Sequence, residues 1–387
     1  MVPGRLTWIP GFRAAVALLL LSGLCPWPSM AQAPPAAPVT KQVAPAPDPA
    51  TIGVVGGSPE GSTLSFVGEI ARVLTRGQET GPNGELALRI LPVVGRGGVH
   101  DVRDILSLPG VDMGIVPEHV LARLQKSKEL GDLKGKLVYV TKLFNEELHI
   151  IARTDIHGLS DLSEKPVNLG DYGSSAEGMA RDLFRTLGLN VAEVHLGQDE
   201  ALEEMRQGRV AATAFLASKP AAFVERLTRD GGFHLLPVPV SVDSALYLPA
   251  SLRPEDYPNL ISEGETVETA AIGTVLIAYR WPETSRRHRL LGNFVDTFFS
   301  RFSEFHAAAR HPKWQDVNLA VTVPGWERFK PAERWVQRSQ AQQAGAAVTG
   351  SVARPGTPRR TIPHEQTIHD ERLFQEFLEW REQRGRR

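Results

Sequence analysis

The stretch Val54-Val55-Gly56-Gly57-Ser58-Pro59-Glu60-Gly61-Ser62-Thr63-Leu64 brings glycines and hydroxyls together directly after an apolar run. It reads as a strand that ends in a tight turn and enters a helix. Such a turn gathers backbone N–H groups and the positive end of a helix at one point, a chemistry suited to anions and polar ligands. Gly57, Ser58, Ser62 and Thr63 are the groups it would present. The alternative is that the glycines only serve the turn and that Ser62 or Ser58 caps the helix. Gly56 and Gly61 have P-loop spacing, but that motif needs a lysine where this chain has Ser62. Nucleotide hydrolysis of the P-loop kind is thereby excluded.

Further along, Arg96 stands between Gly95 and Gly97-Gly98. Glycines allow close backbone approach, and a guanidinium can hold a carboxylate through two hydrogen bonds; a solvated loop arginine is the alternative. Glu118 opens a helix after a strand, where it either meets a ligand or complements the helix dipole. Tyr172, Ser174 and Ser175 lie in a second small-residue turn, as donors or as turn caps. Phe215 and Ser218 end another strand, and Phe144 either covers a cleft or packs in a core. Two apparent catalytic motifs fail on spacing. His364-Glu365-Gln366-Thr367-Ile368-His369 has one residue too many for a zinc-binding HExxH, and Gly173-Ser174-Ser175-Ala176-Glu177 lacks the closing glycine of a nucleophile elbow. No catalytic residue, metal ligand or cofactor is assigned.

The elements that would position these groups alternate regularly. Strand, turn and helix follow from Thr51, with Leu64, Val67, Ala71 and Leu74 as the inward helical face. Leu86, Leu88 and Ile90 alternate on a second strand, and Val111 to Val116 is a third, with helices after both. Three such units in a row predict a parallel sheet with helices on its faces and all three loops at its carboxyl edge. Two strands are expected at Leu137–Thr141 and Leu148–Arg153, joined by a loop over Lys142–Glu147. A second cycle of strand, small-residue turn and helix runs from Val167 to Leu236, and Ala270–Ala278 is a buried strand. Helices are expected at Glu283–Phe302 and Arg328–Gln340.

The chain has 387 residues, with 43 Lys and Arg against 44 Asp and Glu. This length holds one or two domain-sized cores, and the balanced charge gives no reason to expect nucleic acid. Arg5 and Arg13 precede an apolar run, Ala14 to Leu24, too short to span a bilayer comfortably, and Ser29-Met30-Ala31 offers a cleavage site. Residues 1–31 therefore read as a cleaved export signal and 32–50 as a Pro- and Ala-rich linker. The sole cysteine, Cys25, lies inside the signal. Export would leave a periplasmic protein without thiol chemistry. Residues 51–153 and 265–340 are expected to form one α/β lobe and 154–264 a second, with a ligand cleft between them. The segment 341–364 reads as a disordered linker and 365–387 as an amphipathic helix on a basic tail, with Leu373, Phe374, Phe377, Leu378 and Trp380 at helical spacing. That helix either docks on the body or contacts a partner protein or membrane surface.

With this layout, residues 51–335 resemble the TAXI family of solute-binding proteins, the periplasmic receptors of tripartite ATP-independent (TRAP) transporters. The resemblance is carried by segments in order. Val54-Val55-Gly56-Gly57-Ser58 stands at the family's first glycine-rich strand end, and Gly95-Arg96-Gly97-Gly98 at its Thr-Gly-Gly-Ser-like loop. Val111-Asp112-Met113-Gly114-Ile115-Val116 is similar to its Ala-Asp-Leu-Gly-Ile-Val strand, and Glu147-Leu148-His149-Ile150-Ile151-Ala152-Arg153 to its Pro-Leu-His-Leu-Val-Val-Arg segment. Leu159-Ser160-Asp161-Leu162 with Val167-Asn168-Leu169-Gly170 resembles its Ser-Ile-Ala-Asp-Leu and Val-Ser-Leu-Gly pair. Departures fall at the turns that would meet a ligand: Pro59-Glu60, Arg96, and Tyr172-Gly173-Ser174-Ser175. The resemblance implies a type II periplasmic-binding fold and a receptor, not an enzyme, that closes on a small organic anion, an amino acid or a carboxylate, and hands it to TRAP-type membrane subunits. The receptor of an ATP-driven (ABC) importer, a periplasmic ligand sensor and a dehydratase-like enzyme on the same scaffold stay open beside it.

Overall fold

The computed structural model describes residues 50–75, 88–239 and 247–349, with side chains through residue 343, and all of these fall in one compact unit. The expected signal, the 32–49 linker, the tail after residue 349 with its His364–His369 motif, and Leu86 lie outside the described residues. No described helix is long and apolar enough to cross a membrane.

Strand β1 (Thr51–Val55) pairs in parallel with β2 (Arg89–Val93) and β3 (Val111–Pro117). Helices α1 (Ser62–Thr75) and α2 (Val99–Ser107) form the crossovers, and α3 (Glu118–Ser127) follows β3. Strand β4 (Leu137–Arg153) runs unbroken, antiparallel to β10 (Val267–Tyr279), which is inserted beside β3. The far half of β4 then pairs with β7 (Ala212–Ala217) and β8 (Phe233–Leu236). Beyond β7 lie β5 (Pro166–Asn168) and β6 (Ala192–Val194), both in parallel register, and β9 (Leu248–Leu252) pairs with the start of β10. The order is β2-β1-β3-β10-β4-β7-β5-β6. Helices α4 (Ser175–Thr186), α5 (Gln198–Arg206) and the short α6 (Ala222–Glu225) cover the second half, and α7 (Arg286–Ser300) and α8 (Lys330–Thr349) return to the first.

The fold is thus α/β with two lobes strung on one curled sheet, and alternation along each strand gives every lobe a core on both faces. In the first lobe Ile52 and Val54 pack with α1 and α7 around Trp314, while Val55 joins Val99, Val102 and Val120 on the other side. In the second, Ile150 and Ala152 pack with Met179 and Phe184, while Ile151 joins Met205, Phe223 and Tyr257. The chain passes between lobes inside the two long strands: Leu143 and Phe144 belong to the first core and Leu148 to the second, as do Leu276 and Ile272 on β10. The cores of the two lobes therefore meet along β4 and β10.

Several local expectations are corrected. The loop expected over Lys142–Glu147 is strand, because each buried acid there has a hydrogen-bond partner from a distant segment: Glu146 accepts from Ser62, and Glu147 from the backbone of Lys219 and from Lys313. The inward face of α1 is Phe66, Val67, Ile70, Val73 and Leu74, with Leu64 and Ala71 only half-buried. Helix α8 continues to Thr349 through Ala341-Gln342-Gln343-Ala344, where a linker was expected. Alanine-rich composition supports helix extension as readily as it signals low complexity.

Candidate functional site

The turns singled out from sequence meet at one place. A cavity of about 100 Å³ lies between the lobes, lined from the first by Gly57, Ser58, Thr63, Arg96, Gly97 and Gly98 and from the second by Ser174, Ser175 and Phe215. The parallel topology explains the convergence, because every β-to-α turn leaves the carboxyl edge of its sheet half. Residues at or next to the first turns of five helices line the cavity: Gly61 and Thr63 of α1, Gly98 before α2, Pro117 before α3, Ser174 and Ser175 of α4, and Gly197 and Gln198 of α5. Helices α2, α3 and α5 have no side-chain cap, and the positive ends of their peptide dipoles are met in the first turn by Asp101, Glu118, and Asp199 with Glu200.

The lobes are in contact around this cavity. Val99 N donates to Gly173 O at 3.0 Å, His119 Nε2 to Ser175 O at 3.1 Å, and Ser218 N to Ser62 Oγ at 2.9 Å. His100 Nε2 donates to Tyr172 O at 2.7 Å, and its Nδ1 accepts from Arg96 Nη2 at 2.9 Å. Arg96 is exposed at the mouth, and its guanidinium is coupled to this cross-lobe bond. Gly98 has φ +61°, and a Cβ there would stand 2.1 Å from Gly173 O, so the close approach of the lobes requires glycine.

Two acids that sequence reasoning missed lie inside. Asp101, in the first turn of α2, accepts from the N–H groups of Gly97 (2.9 Å) and Arg96 (3.2 Å) and thereby shapes the glycine loop. Burial raises its carboxyl to about 6 against the pull of those N–H groups. Glu146 on β4 lines the cavity while only 4% exposed. Burial pushes its carboxyl up to about 8, with the bond from Ser62 opposing and the charge of Glu147 reinforcing the rise. His119 is pushed down to about 4 by burial and stays neutral near pH 7. Gly170, Asp171, Leu196 and Gln198 complete the second wall.

Five expected site residues stand elsewhere. Phe144 is core: its ring stacks on Phe66 at 3.6 Å, edge-on to Trp314 at 6.0 Å. Glu118 is paired with Lys142 at 3.1 Å, outside the cavity lining. Tyr172 is 69% exposed with its ring stacked on His195 at 3.6 Å, and only its carbonyl takes part in the cross-lobe bond. Ser62 and Ser218 are buried behind the cavity, where Ser62 links the lobes and does not cap α1. Among the described residues no cluster of three or more His, Cys, Asp or Glu could hold a metal ion.

Among solved structures, the chain is similar to MatC from Rhodopseudomonas palustris with bound malate, at 17% identity over 76% of this chain and 97% of that one, with TM-score 0.42. It is also similar to the periplasmic binding protein BugD (14% identity, 78% and 97% covered, TM-score 0.44) and to the periplasmic aliphatic sulphonate binding protein SsuA from Escherichia coli (16%, 86% and 92%, 0.39). These likenesses identify no ligand for this chain. Residues 96–310 match the NMT1-like family, and with more than half of its length in that match the chain belongs to it.

Proposed function

We propose that the chain is a periplasmic solute-binding receptor of the TAXI kind, which closes on a small organic anion and delivers it to TRAP-type membrane subunits without turning it over. One observation carries the reading: five helix starts converge on a small cavity between two lobes, with Arg96 at its mouth. N–H groups and dipole ends favour a carboxylate or similar anion. Bonds such as Val99 N to Gly173 O exist only with the lobes together. They favour the closed state by themselves, and a ligand deepens closure by as much as it binds that state more tightly than the open one. Residues 1–31 would be removed on export, and the tail beyond the body would serve a contact of its own.

Mass spectrometry of solutes released from the purified protein, followed by calorimetry with the identified solute, tests the proposal. A conversion of the bound solute, absent from a heat-inactivated control, would make it an enzyme. Genes for ABC-type membrane subunits beside its own would make it the receptor of an ATP-driven importer.

Two substitutions probe the mouth. Arg96→Ala is expected to weaken binding at least tenfold, about 1.4 kcal/mol, through loss of its positive charge and of its bond to His100. Unchanged affinity removes Arg96 from the site. Gly98→Ala places a methyl 2.1 Å from Gly173 O and should hold the lobes apart. Affinity is expected to fall by roughly tenfold or more, and the unfolding midpoint to drop as well, since alanine at φ +61° costs about 1–3 kcal/mol of backbone strain. Wild-type affinity in this variant would show that closure does not need the contact.

A further inference from the structure

Glu146 lies where the lobes join, at the inner end of the cavity, and its hydrogen bonding is asymmetric. Oε1 accepts from Ser62 Oγ at 3.0 Å, and Ser62 Oγ itself accepts from Ser218 N at 2.9 Å. A hydroxyl has one proton, and with Ser218 occupying a lone pair that proton is directed at Glu146. Among the described residues Oε2 has no hydrogen-bond partner and Glu146 has no ion pair. The lysine whose charge acts on Glu146, Lys313, is ion-paired with Glu147.

A carboxylate 96% buried with no cation beside it is costly, and the acid form avoids that cost. Burial and the neighbouring Glu147 act in that direction, raising the carboxyl to about 8. Because Oε1 is already an acceptor, the proton belongs on Oε2. An O–H is then presented to a cavity that Arg96, Ser58, Thr63, Ser174, Ser175 and Gln198 also line, together with the carboxyl groups of Glu60, Asp101 and Asp171; the charge of Asp101 acts with that of Glu147 to favour the acid form of Glu146.

We propose that Glu146 determines the specificity of the cleft by donating from Oε2–H to an anionic oxygen of the ligand, so that the cavity takes a small carboxylate and rejects a ligand that places an ammonium group there. This rests on reading the cleft as a solute site and narrows the solute class. Ser218 belongs to the second lobe and Ser62 to the first, so the chain of bonds that orients this donor is complete only when the lobes are together. Closure and discrimination are therefore one event.

The test uses the full chain and two independent readouts. Infrared difference spectra between wild type and Glu146→Gln at about pH 7 should show a carboxylic-acid carbonyl band that the variant lacks. It should give way to carboxylate at about pH 10. Absence of that band near neutrality overturns the proposal without touching the receptor reading. The second readout is calorimetry with propionate and alanine, which share a carbon skeleton and differ by the ammonium group. Propionate should bind wild type more tightly than alanine, bind Glu146→Gln within about threefold of wild type because the amide still donates, and bind Glu146→Ala at least tenfold more weakly. Tighter binding of alanine, with proton release and with a tenfold loss in Glu146→Gln, overturns the proposal. Binding of neither acid to wild type refutes the solute reading for acids of this size, and the selectivity with it.

Discussion

Arg287→Ala is expected to lower the stability of the folded body by about 3–5 kcal/mol, read as a shift of the urea midpoint to lower concentration. Asp112 on β3 is 1% exposed, and the guanidinium of Arg287 in the first turn of α7 grips both its oxygens. The same guanidinium donates to Thr51 O at 2.9 Å, so one side chain ties α7 to β1 and β3. The pair contributes little relative to an apolar replacement, since both charges lose water; removing one partner leaves the other buried and unpaired. Burial already raises the Asp112 carboxyl, and Arg287 is the main influence opposing that rise. Without Arg287 the folded state would bind a proton at Asp112 over a wider pH range than the unfolded chain does. Stability of the variant should then fall as pH rises above the unfolded value, and the deficit should be larger at about pH 8 than at about pH 5. Asp112→Asn in the Arg287→Ala background should recover part of the loss, because it removes the stranded charge. A loss under about 1 kcal/mol that does not vary with pH would contradict this account.

The same strand illustrates what could be read without coordinates. Val111-Asp112-Met113-Gly114-Ile115-Val116 is unmistakable as a buried strand because its apolar run is bounded by turn residues. The glycine-rich turns of both lobes announce themselves by composition, and parallel topology then brings them to one edge. Long-range register was not readable. Asn145-Glu146-Glu147 interrupts the apolar pattern of β4, and charged residues in a row look like a loop unless their partners are known. Those partners come from segments far away in the chain: Ser62, Lys219 and Lys313. Reading a break there hid Glu146 and left Phe144 as the candidate, two residues away. Both side chains meet α1, Phe144 against Phe66 and Glu146 against Ser62 at the helix start, so the difference is one step along the strand between core and cavity. Asp101 did carry a signal, an acid in the first helical turn beside Gly97-Gly98, but the same position suits simple dipole complementarity. Tyr172 and Ser218 show the converse limit: a turn can be placed at a cleft by pattern while the direction of one side chain in it depends on tertiary contacts.

Glu146→Gln is expected to stabilise the protein at alkaline pH while leaving it nearly unchanged in mild acid. In the unfolded chain this carboxyl titrates at its ordinary value of 4.5, and in the folded protein at about 8. Between those values the folded state holds a proton that the unfolded state has released, so stability falls with rising pH at up to about 1.4 kcal/mol per pH unit and levels off above the folded value. The full span sets a ceiling on the order of 4–5 kcal/mol for the cost of ionising Glu146 in place. An amide keeps the bond from Ser62 through its oxygen and has no charge to desolvate, so it escapes this cost at every pH. The difference between variant and wild type should be near zero at about pH 4, open through neutrality and reach a few kcal/mol at about pH 9. Asp101, raised to about 6 by burial, adds a pH dependence of its own, and because its charge acts on Glu146 the comparison reads the two carboxyls together. Urea unfolding of the two proteins at three pH values measures this directly. A variant that tracks wild type across the range would mean that Glu146 is ionised at little cost in the folded protein, through solvent or a cation reaching Oε2.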